Sequence, residues 1–299
     1  MNQKPFVSFC IFTYNQENYI LDAINGAVNQ EYDNMEIIIS DDNSKDNTYE
    51  IIQDYFAKYN GKHKIVLNRN NTNLGIREHF NKVIYTIAKG DIIIIAAGDD
   101  VSLPNRTEVT VDFFNSNPQI NSLHFLSLQV DEKLTPILNR NINLSKGLHS
   151  IITLDDYIQS SIWLYSGDSR AFRRELIEKF PKLEYSHNED IPTFIRSIIL
   201  GSTALIRNNL VLRRIDGKNT SLQWRYKQEG KDLYKQIFKD VNFALDNNYI
   251  DKITAEKILY KIENIIVDMK FLDLERLCPI ITKLYNLFIY LPRYIARKI

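Results

Sequence analysis

Two adjacent carboxylates, Asp99 and Asp100, follow Gly98 at the end of the most uniform apolar run in the chain, Ile92 to Ala97. Acids at the end of a buried strand repel each other and lose hydration, which a divalent cation or the hydroxyls of a ligand can offset. A cation on a diphosphate is the natural compensation. Taken alone, an Asp-Asp pair is more often a solvated polar turn, so its meaning depends on what else reaches it. A second pair, Asp41-Asp42, opens the polar stretch Asp41-Asp42-Asn43-Ser44-Lys45-Asp46-Asn47-Thr48. Asp46 or Ser44 can cap the helix expected from Tyr49, but capping does not account for two acids at a strand end. There an aspartate can accept a hydrogen bond from a pyrimidine ring N–H, and Tyr14 offers a ring on which a base can stack.

These clusters can meet only if the intervening elements bring them together. Phe6 to Thr13 is an apolar, β-rich run, and Tyr19, Ile20, Ala23, Ile24, Ala27 and Val28 follow at helical spacing. Met35 to Ser40 then reads as a strand and Tyr49 to Tyr59 as a helix. Ile65 to Leu67 reads as a short third strand, Ile76 to Ala88 as a third helix and Ile92 to Ala96 as a strand buried on both faces. Alternating strand and helix predicts a parallel sheet, whose ligands bind beyond the carboxyl ends of the strands. Tyr14-Asn15, Asp41-Asp42 and Asp99-Asp100 all fall at such ends.

After Pro104 the pattern predicts a helix to about Phe114, a strand near Ser122 to Val130, and helices near Leu154 to Ser160 and Ile191 to Leu200. Past about Ser221 it is helical throughout, with candidates at Leu233 to Leu245, Thr254 to Leu274 and Ile280 to Ile299. The expected division is residues 1–220 as one α/β domain, with a nucleotide-binding half at 1–100 and an acceptor half at 101–220, followed by a separate helical region at 221–299.

Thirty-seven basic and thirty-seven acidic residues leave no net charge, so no overall field favours nucleic acid. Cys10 and Cys278 lie too far apart in sequence to imply a disulfide framework, and the first residues carry no pattern of a secretion signal. A reducing cytoplasm is the expected setting, with no membrane span.

The residues that carry chemistry fall into an ordered set: Ser8-Phe9-Cys10-Ile11-Phe12-Thr13-Tyr14-Asn15, Asp41 to Thr48, Asn73-Leu74-Gly75 with Asn81, Gly90-Asp91, Gly98-Asp99-Asp100 and Glu189-Asp190. In order and spacing this set resembles the family 2 glycosyltransferases over about the first 220 residues. The resemblance implies the GT-A fold, an α/β architecture with a mainly parallel mixed sheet, here with a C-terminal helical appendage. It also implies an inverting transfer from a nucleotide diphosphate sugar, with a UDP-sugar as the expected donor, to the hydroxyl of a carbohydrate or lipid-linked acceptor.

Carried over by position, the resemblance places Thr13, Tyr14, Asn15, Asp41, Asp42, Asn73 and Asp99 around the nucleotide. Tyr14 stacks on the base, Asp42 holds its ring N–H, Asp41 supports that loop and Asp99 contacts the ribose. Asp100 holds Mg²⁺ or Mn²⁺ between the phosphates, where the metal stabilises the leaving diphosphate. Asp190 is the general base, with Glu189 beside it on the acceptor side; Asp190 can also cap the helix that follows, with Pro192 in its first turn.

Further residues have two readings each. Arg77 either brings charge to the donor phosphates or faces solvent. Arg213 or Arg214 either reaches the diphosphate or forms a structural ion pair. Asp216 stands where relatives often have histidine, so it either supplies a metal ligand or marks a lost contact. Trp163 and Tyr165, with Asp168, precede an Arg-rich helix start and either present an aromatic face to an acceptor sugar or pack beneath it. Arg276 to Ile299, basic and apolar without an acid, can lie on the inner face of an anionic membrane or pack on its own domain or a second subunit. Two other functions compete: a sugar-nucleotide-binding protein without turnover, and a sugar nucleotidyltransferase, which would want a Gly-rich basic loop where Thr13-Tyr14-Asn15-Gln16 stands.

Overall fold

The computed structural model describes residues 4–137, 149–159, 169–215 and 226–277. Four parallel strands build the first half: β1 (Val7–Thr13), β2 (Met35–Asp41), β3 (Lys64–Arg69) and β4 (Ile92–Ala97). β1, β2 and β4 are apolar on both faces because helices cover both sides, as a buried parallel sheet requires. The crossovers are α1 (Ile20–Val28), α2 (Thr48–Phe56) and α3 (Gly75–Lys82). α3 continues into a π-helical turn, Val83–Ile87, closed by the Ala88 amide on the Val83 carbonyl at 2.8 Å. The single helix expected from Ile76 to Ala88 is thus two pieces of different pitch.

β1 lies between β2 and β4, so the strand order reverses at the β1/β4 junction, where open α/β sheets bind their ligands. The register decides what arrives there. Thr13 pairs with Asp41, and Phe12 pairs with Ala97. The three strands therefore end level, and the residues after each emerge along one edge. Gly90-Asp91 sits at the opposite end, ahead of β4. There the Ser8 hydroxyl accepts the Gly90 N–H at 2.7 Å, and a Cβ on Gly90 would lie 2.2 Å from the Ser8 nitrogen. This part of the sequence pattern holds the sheet together, far from the crevice.

The second half extends the same sheet. β8 (Arg170–Arg173) runs antiparallel to β4 and to β6 (Ile120–Val130), and β6 pairs in parallel with β9 (Ser202–Arg214). Two short edges flank β9: β7 (His149–Thr153) along its first half and β5 (Val101–Ser102) along its second. α4 (Arg106–Ser116), α5 (Leu154–Gln159), α6 (Glu175–Lys179) and α7 (Asp190–Leu200) complete this half. Two sequence expectations change here. The arginines after Ser169 form β8, not the start of a helix, and β9, at 13 residues the longest strand among the described residues, carries no signal in the sequence reading. Its Arg207 is partly buried and its Asn208 and Asn209 are exposed, which interrupts the apolar pattern by which a strand is recognised.

α8 (Tyr226–Asp246) and α9 (Lys252–Leu277) confirm the helical pattern past residue 226. They share one apolar core with α7: Phe194, Ile195 and Ile198 pack with Leu233, Ile237, Val241, Ile258 and Ile262. A buried ion pair crosses that core, with Arg196 Nε donating to Asp240 Oδ2 at 2.8 Å and Nη2 to Oδ1 at 2.6 Å. Among the described residues no helix is long and apolar enough to cross a membrane. Cys10 is buried as a free thiol; Cys278 and nearly all of the basic C-terminal segment lie outside the described residues.

Removing one member of a buried pair strands the other charge, which costs about 3–5 kcal/mol. Asp240→Ala is therefore expected to lower the unfolding free energy by about that amount, read as a lower urea midpoint at unchanged slope. An unchanged midpoint would mean that the Arg196–Asp240 pair contributes nothing to stability.

Candidate active site

The loop after β1 is latched to the loop after β2. The Asn15 amide donates to Ser44 Oγ at 2.9 Å, the Lys45 amide donates to Asn15 Oδ1 at 2.8 Å, and the Gln16 amide donates to Thr48 Oγ1 at 2.8 Å. Asn15 takes φ = 54° to make these contacts, a conformation that asparagine tolerates better than most residues. Thr13 donates from its hydroxyl to Gln16 Oε1 at 2.7 Å. Gly98 passes directly against this pair, and a Cβ there would come within 2.7 Å of Thr13 Oγ1. On this rigid frame the Tyr14 ring stays 43% exposed, the arrangement that a stacking platform needs.

Both acids after β2 are buried, and different donors hold them. Asp41 has no exposed surface; it accepts the Ser44 amide at 3.0 Å and the Ser44 hydroxyl, and Arg69 Nε stands 3.5 Å away. It holds the loop and cannot touch a ligand directly. Asp42 Oδ1 accepts from Asn70 Nδ2 at 2.7 Å and the Leu74 amide at 2.8 Å, while Oδ2 accepts the Gly75 amide at 2.9 Å. A carboxylate offers about four lone-pair sites, so three donors fix its plane and leave room for one more. Gly75 has φ = 75° with open space where a Cβ would stand, so its role is conformational. Asn73 is exposed on the same turn.

Behind Asp42 lies His79, which sequence reading passed over. It is buried, its Nε2 is 2.6 Å from Ser40 Oγ, and its ring meets Phe12 edge-on. Burial pushes its pKa down to about 4, with Asp42 and Asp41 opposing the shift and Lys82 adding to it. Lys82 Nζ donates to Asn70 Oδ1 at 2.7 Å, which completes a chain of polar contacts from α3 to Asp42.

Asp99 and Asp100 turn out of β4 against the end of β9. The Arg214 amide donates to Asp100 Oδ1 at 2.9 Å, and Arg214 Nη1 donates to the Asp99 carbonyl at 2.9 Å. The same guanidinium pairs with Asp22 at 2.8 Å and covers the Tyr19 ring at 4.3 Å. Of the two readings for this arginine pair, Arg214 takes the structural one.

Glu189 and Asp190 open α7, and both meet Arg170. Arg170 Nη2 lies 2.8 Å from Glu189 Oε1 and 3.3 Å from Asp190 Oδ1. The Glu189 side chain is 13% exposed, that of Asp190 33%, and Arg170 is fully buried. The loop before them is tied to α3: Arg77 Nη1 donates to the Glu184 carbonyl at 2.7 Å, and Asn81 exchanges hydrogen bonds with Leu183. Arg77 also pairs with Glu78 at 3.0 Å. Gln236 of α8 accepts the Glu184 and Tyr185 amides at 2.7 and 2.9 Å. Arg170 is one of three arginines between Arg170 and Arg174, and Gln236 is one of several polar residues on a helix, so neither stands out from its sequence neighbours. Trp163, Tyr165, Asp168 and Asp216 lie outside the described residues.

Among the described residues no group of three or more His, Cys, Asp or Glu stands together. Asp99 and Asp100 do fit a hard dication that takes one or two carboxylates and completes its shell with substrate phosphates and water.

The chain matches the family described as Glycosyl transferase family 2 over residues 8–180. An uncharacterized glycosyltransferase of Nostoc sp. is 27% identical over 248 residues, covering 78% of this chain and 74% of that protein. Among solved structures, residues 1–349 of S. aureus TarS in complex with UDP-GlcNAc superpose with TM-score 0.65 at 17% identity, over 87% of this chain and 72% of that one. The mannosyltransferase PcManGT from Pyrobaculum calidifontis, in complex with GDP-Man and Mn²⁺, gives TM-score 0.57 at 15% identity, over 90% and 73%. At such identities the two structures show a shared GT-A fold.

His79 makes stability depend on pH. Its folded pKa of about 4 lies below the ordinary histidine value of 6.5, so the unfolded chain binds the proton first. Stability is fully present above pH 6.5, falls as pH drops from 6.5 towards 4, and falls no further from this source below that. The expected slope reaches about 1 kcal/mol per pH unit. His79→Gln should flatten the difference between denaturation curves at pH 7 and pH 4.5, and an unaltered difference would remove His79 as its cause.

Proposed function

Since the chain belongs to glycosyl transferase family 2, we propose that it moves one sugar from a UDP-sugar donor to an acceptor hydroxyl, with Mg²⁺ or Mn²⁺ and with inversion. The observation that carries this reading is the level ending of β1, β2 and β4. It sets Tyr14, Asp42 and the Asp99-Asp100 turn along one edge, with Arg214 of β9 bound to the last of them. β8, paired to β4 on that sheet, holds the acids of α7 through Arg170.

The donor's base stacks on Tyr14, and its ring N–H finds the remaining lone pair of Asp42. Thr13 and Asn15 shape this wall, and Asn73 lies on the turn beside it. Asp99 meets the ribose. Asp100 holds the metal, which when bound neutralises the charge of the leaving diphosphate. Arg77 is committed to the Glu184 carbonyl and supports the acceptor loop rather than the phosphates.

On the opposite face, the Asp190 carboxylate accepts the proton of the acceptor hydroxyl while that oxygen attacks the anomeric carbon. The new C–O bond forms as the bond to the diphosphate oxygen breaks, and UDP leaves with that electron pair. Attack opposite the leaving group inverts the carbon. The acceptor is a carbohydrate, free or lipid-linked, of the kind assembled into bacterial surface polysaccharides.

A thermal-shift screen of UDP-glucose, UDP-galactose and UDP-GlcNAc with and without Mn²⁺ tests the donor half. One donor should raise the melting temperature, and more so with metal; Asp100→Asn should abolish the metal-dependent part. Asp190→Asn should keep the shift and lower turnover by roughly 10²- to 10⁴-fold. A mutant that transfers sugar at the wild-type rate would refute the assignment of the base.

A further inference from the structure

The base proposed above begins a helix, and a carboxylate there has freedom that catalysis must remove. At the N-cap position of α7, Glu189 makes no side-chain cap hydrogen bond. The restraint comes instead from Arg170, across the sheet.

Arg170 Nη1 donates to the Asp190 carbonyl at 3.0 Å, to the Glu189 carbonyl at 3.4 Å and to the Thr193 hydroxyl. Nη2 donates to both carboxylates, Glu189 at 2.8 Å and Asp190 at 3.3 Å. One guanidinium thus grips the main chain and the side chains of both acids. Thr193 adds to the grip by donating to the Glu189 carbonyl at 2.6 Å. Arg170 is itself immobile. Its neighbours Ala171 and Phe172 pair with Ile94 and Ile93 of β4, it pairs with His124 of β6, and Ser169 donates to the Phe125 carbonyl at 2.7 Å.

We propose that Arg170 is a positioning residue for the transfer reaction: it aims the Asp190 carboxylate at the acceptor and fixes the plane of that carboxylate. Glu189 is the partner that keeps the buried cation in place, since one full positive charge without exposed surface needs a close counter-charge. Only an arginine meets the requirement. Its planar fork holds several acceptors at fixed angles, whereas an ammonium at the same place supplies charge without orientation. This inference rests on Asp190 being the base.

The test follows UDP release from UDP-glucose, UDP-galactose and UDP-GlcNAc, with water as the acceptor of the sugar, in four proteins: wild type, Arg170→Lys, Asp190→Asn and the double variant. A displacement of a reacting group by about 1 Å costs roughly 10²-fold in rate. Arg170→Lys should therefore lower kcat by about that factor, while the donor KM and the donor-induced thermal shift stay at their wild-type values. In the Asp190→Asn background the same change should have no further effect on kcat, because residues acting as one unit are non-additive.

An additional fall of similar size in that background would place the action of Arg170 elsewhere and overturn the proposal, as would a wild-type kcat for Arg170→Lys beside an inactive Asp190→Asn. Full activity of Asp190→Asn would refute the base itself, and a wild type that releases no UDP would refute the reaction; either removes the ground for the proposal. If Arg170→Lys does not fold, Glu189→Gln replaces it. Loosening the grip from that side should lower kcat with the donor shift kept, and an unchanged kcat would overturn the proposal.

Discussion

Carboxylates collected along one edge of a sheet repel one another, and that edge is tolerable because donors from other parts of the chain hold them. At an effective dielectric of 20, two like charges about 4 Å apart cost about 4 kcal/mol. The protein answers each acid separately. Asp41 faces Arg69, Asp42 is bound by three N–H groups, Asp100 is held by the end of β9, and Glu189 and Asp190 share Arg170. The answers differ in kind, and the difference follows exposure. Asp41, fully enclosed, is taken up by structure, whereas Asp190, a third exposed, remains accessible to a ligand.

The same constraint explains why the second half of the chain belongs to one sheet with the first. A cation can be buried beside an acid only if its own backbone is rigidly placed, because a mobile charge would pull water in with it. Arg170 and Arg214 stand at the ends of β8 and β9, strands that hydrogen-bond into the sheet extending from β4. Arg106, buried beneath them, donates to the Ile95 carbonyl at 2.8 Å and to Ser102 Oγ at 2.8 Å. Three buried guanidinium groups therefore lie where β4, β5, β8 and β9 approach one another, next to the acidic edge.

α7 carries the proposed base, so whatever fixes α7 fixes the position of that carboxylate. From the front it is gripped by Arg170, and from behind by Asp240 through Arg196 and by an apolar face shared with α8 and α9. The helices past residue 226 act here as part of the scaffold of the acceptor side. Gln236 extends that role to the loop that leads into Glu189, by accepting two of its amides.

The amino-acid sequence by itself determined the βαβ half and the three polar clusters after its strands. Apolar runs, helical spacing and strand-end acids are local patterns, read within a dozen residues of one another. The ordered motifs also identified the family and singled out Asp190 before any geometry was available. Tertiary structure alone decided which acid is enclosed and which stays exposed, that Gly90-Asp91 lies at the opposite end of the sheet from the other clusters, and that β9 exists at all. It also chose the partners. Arg214 reaches across 114 residues to Asp100 and 192 to Asp22, and Arg170 reaches forward to a helix 20 residues on. A charge in the sequence shows that a partner is needed, but strand register and helix packing select it, and those are properties of the whole sheet.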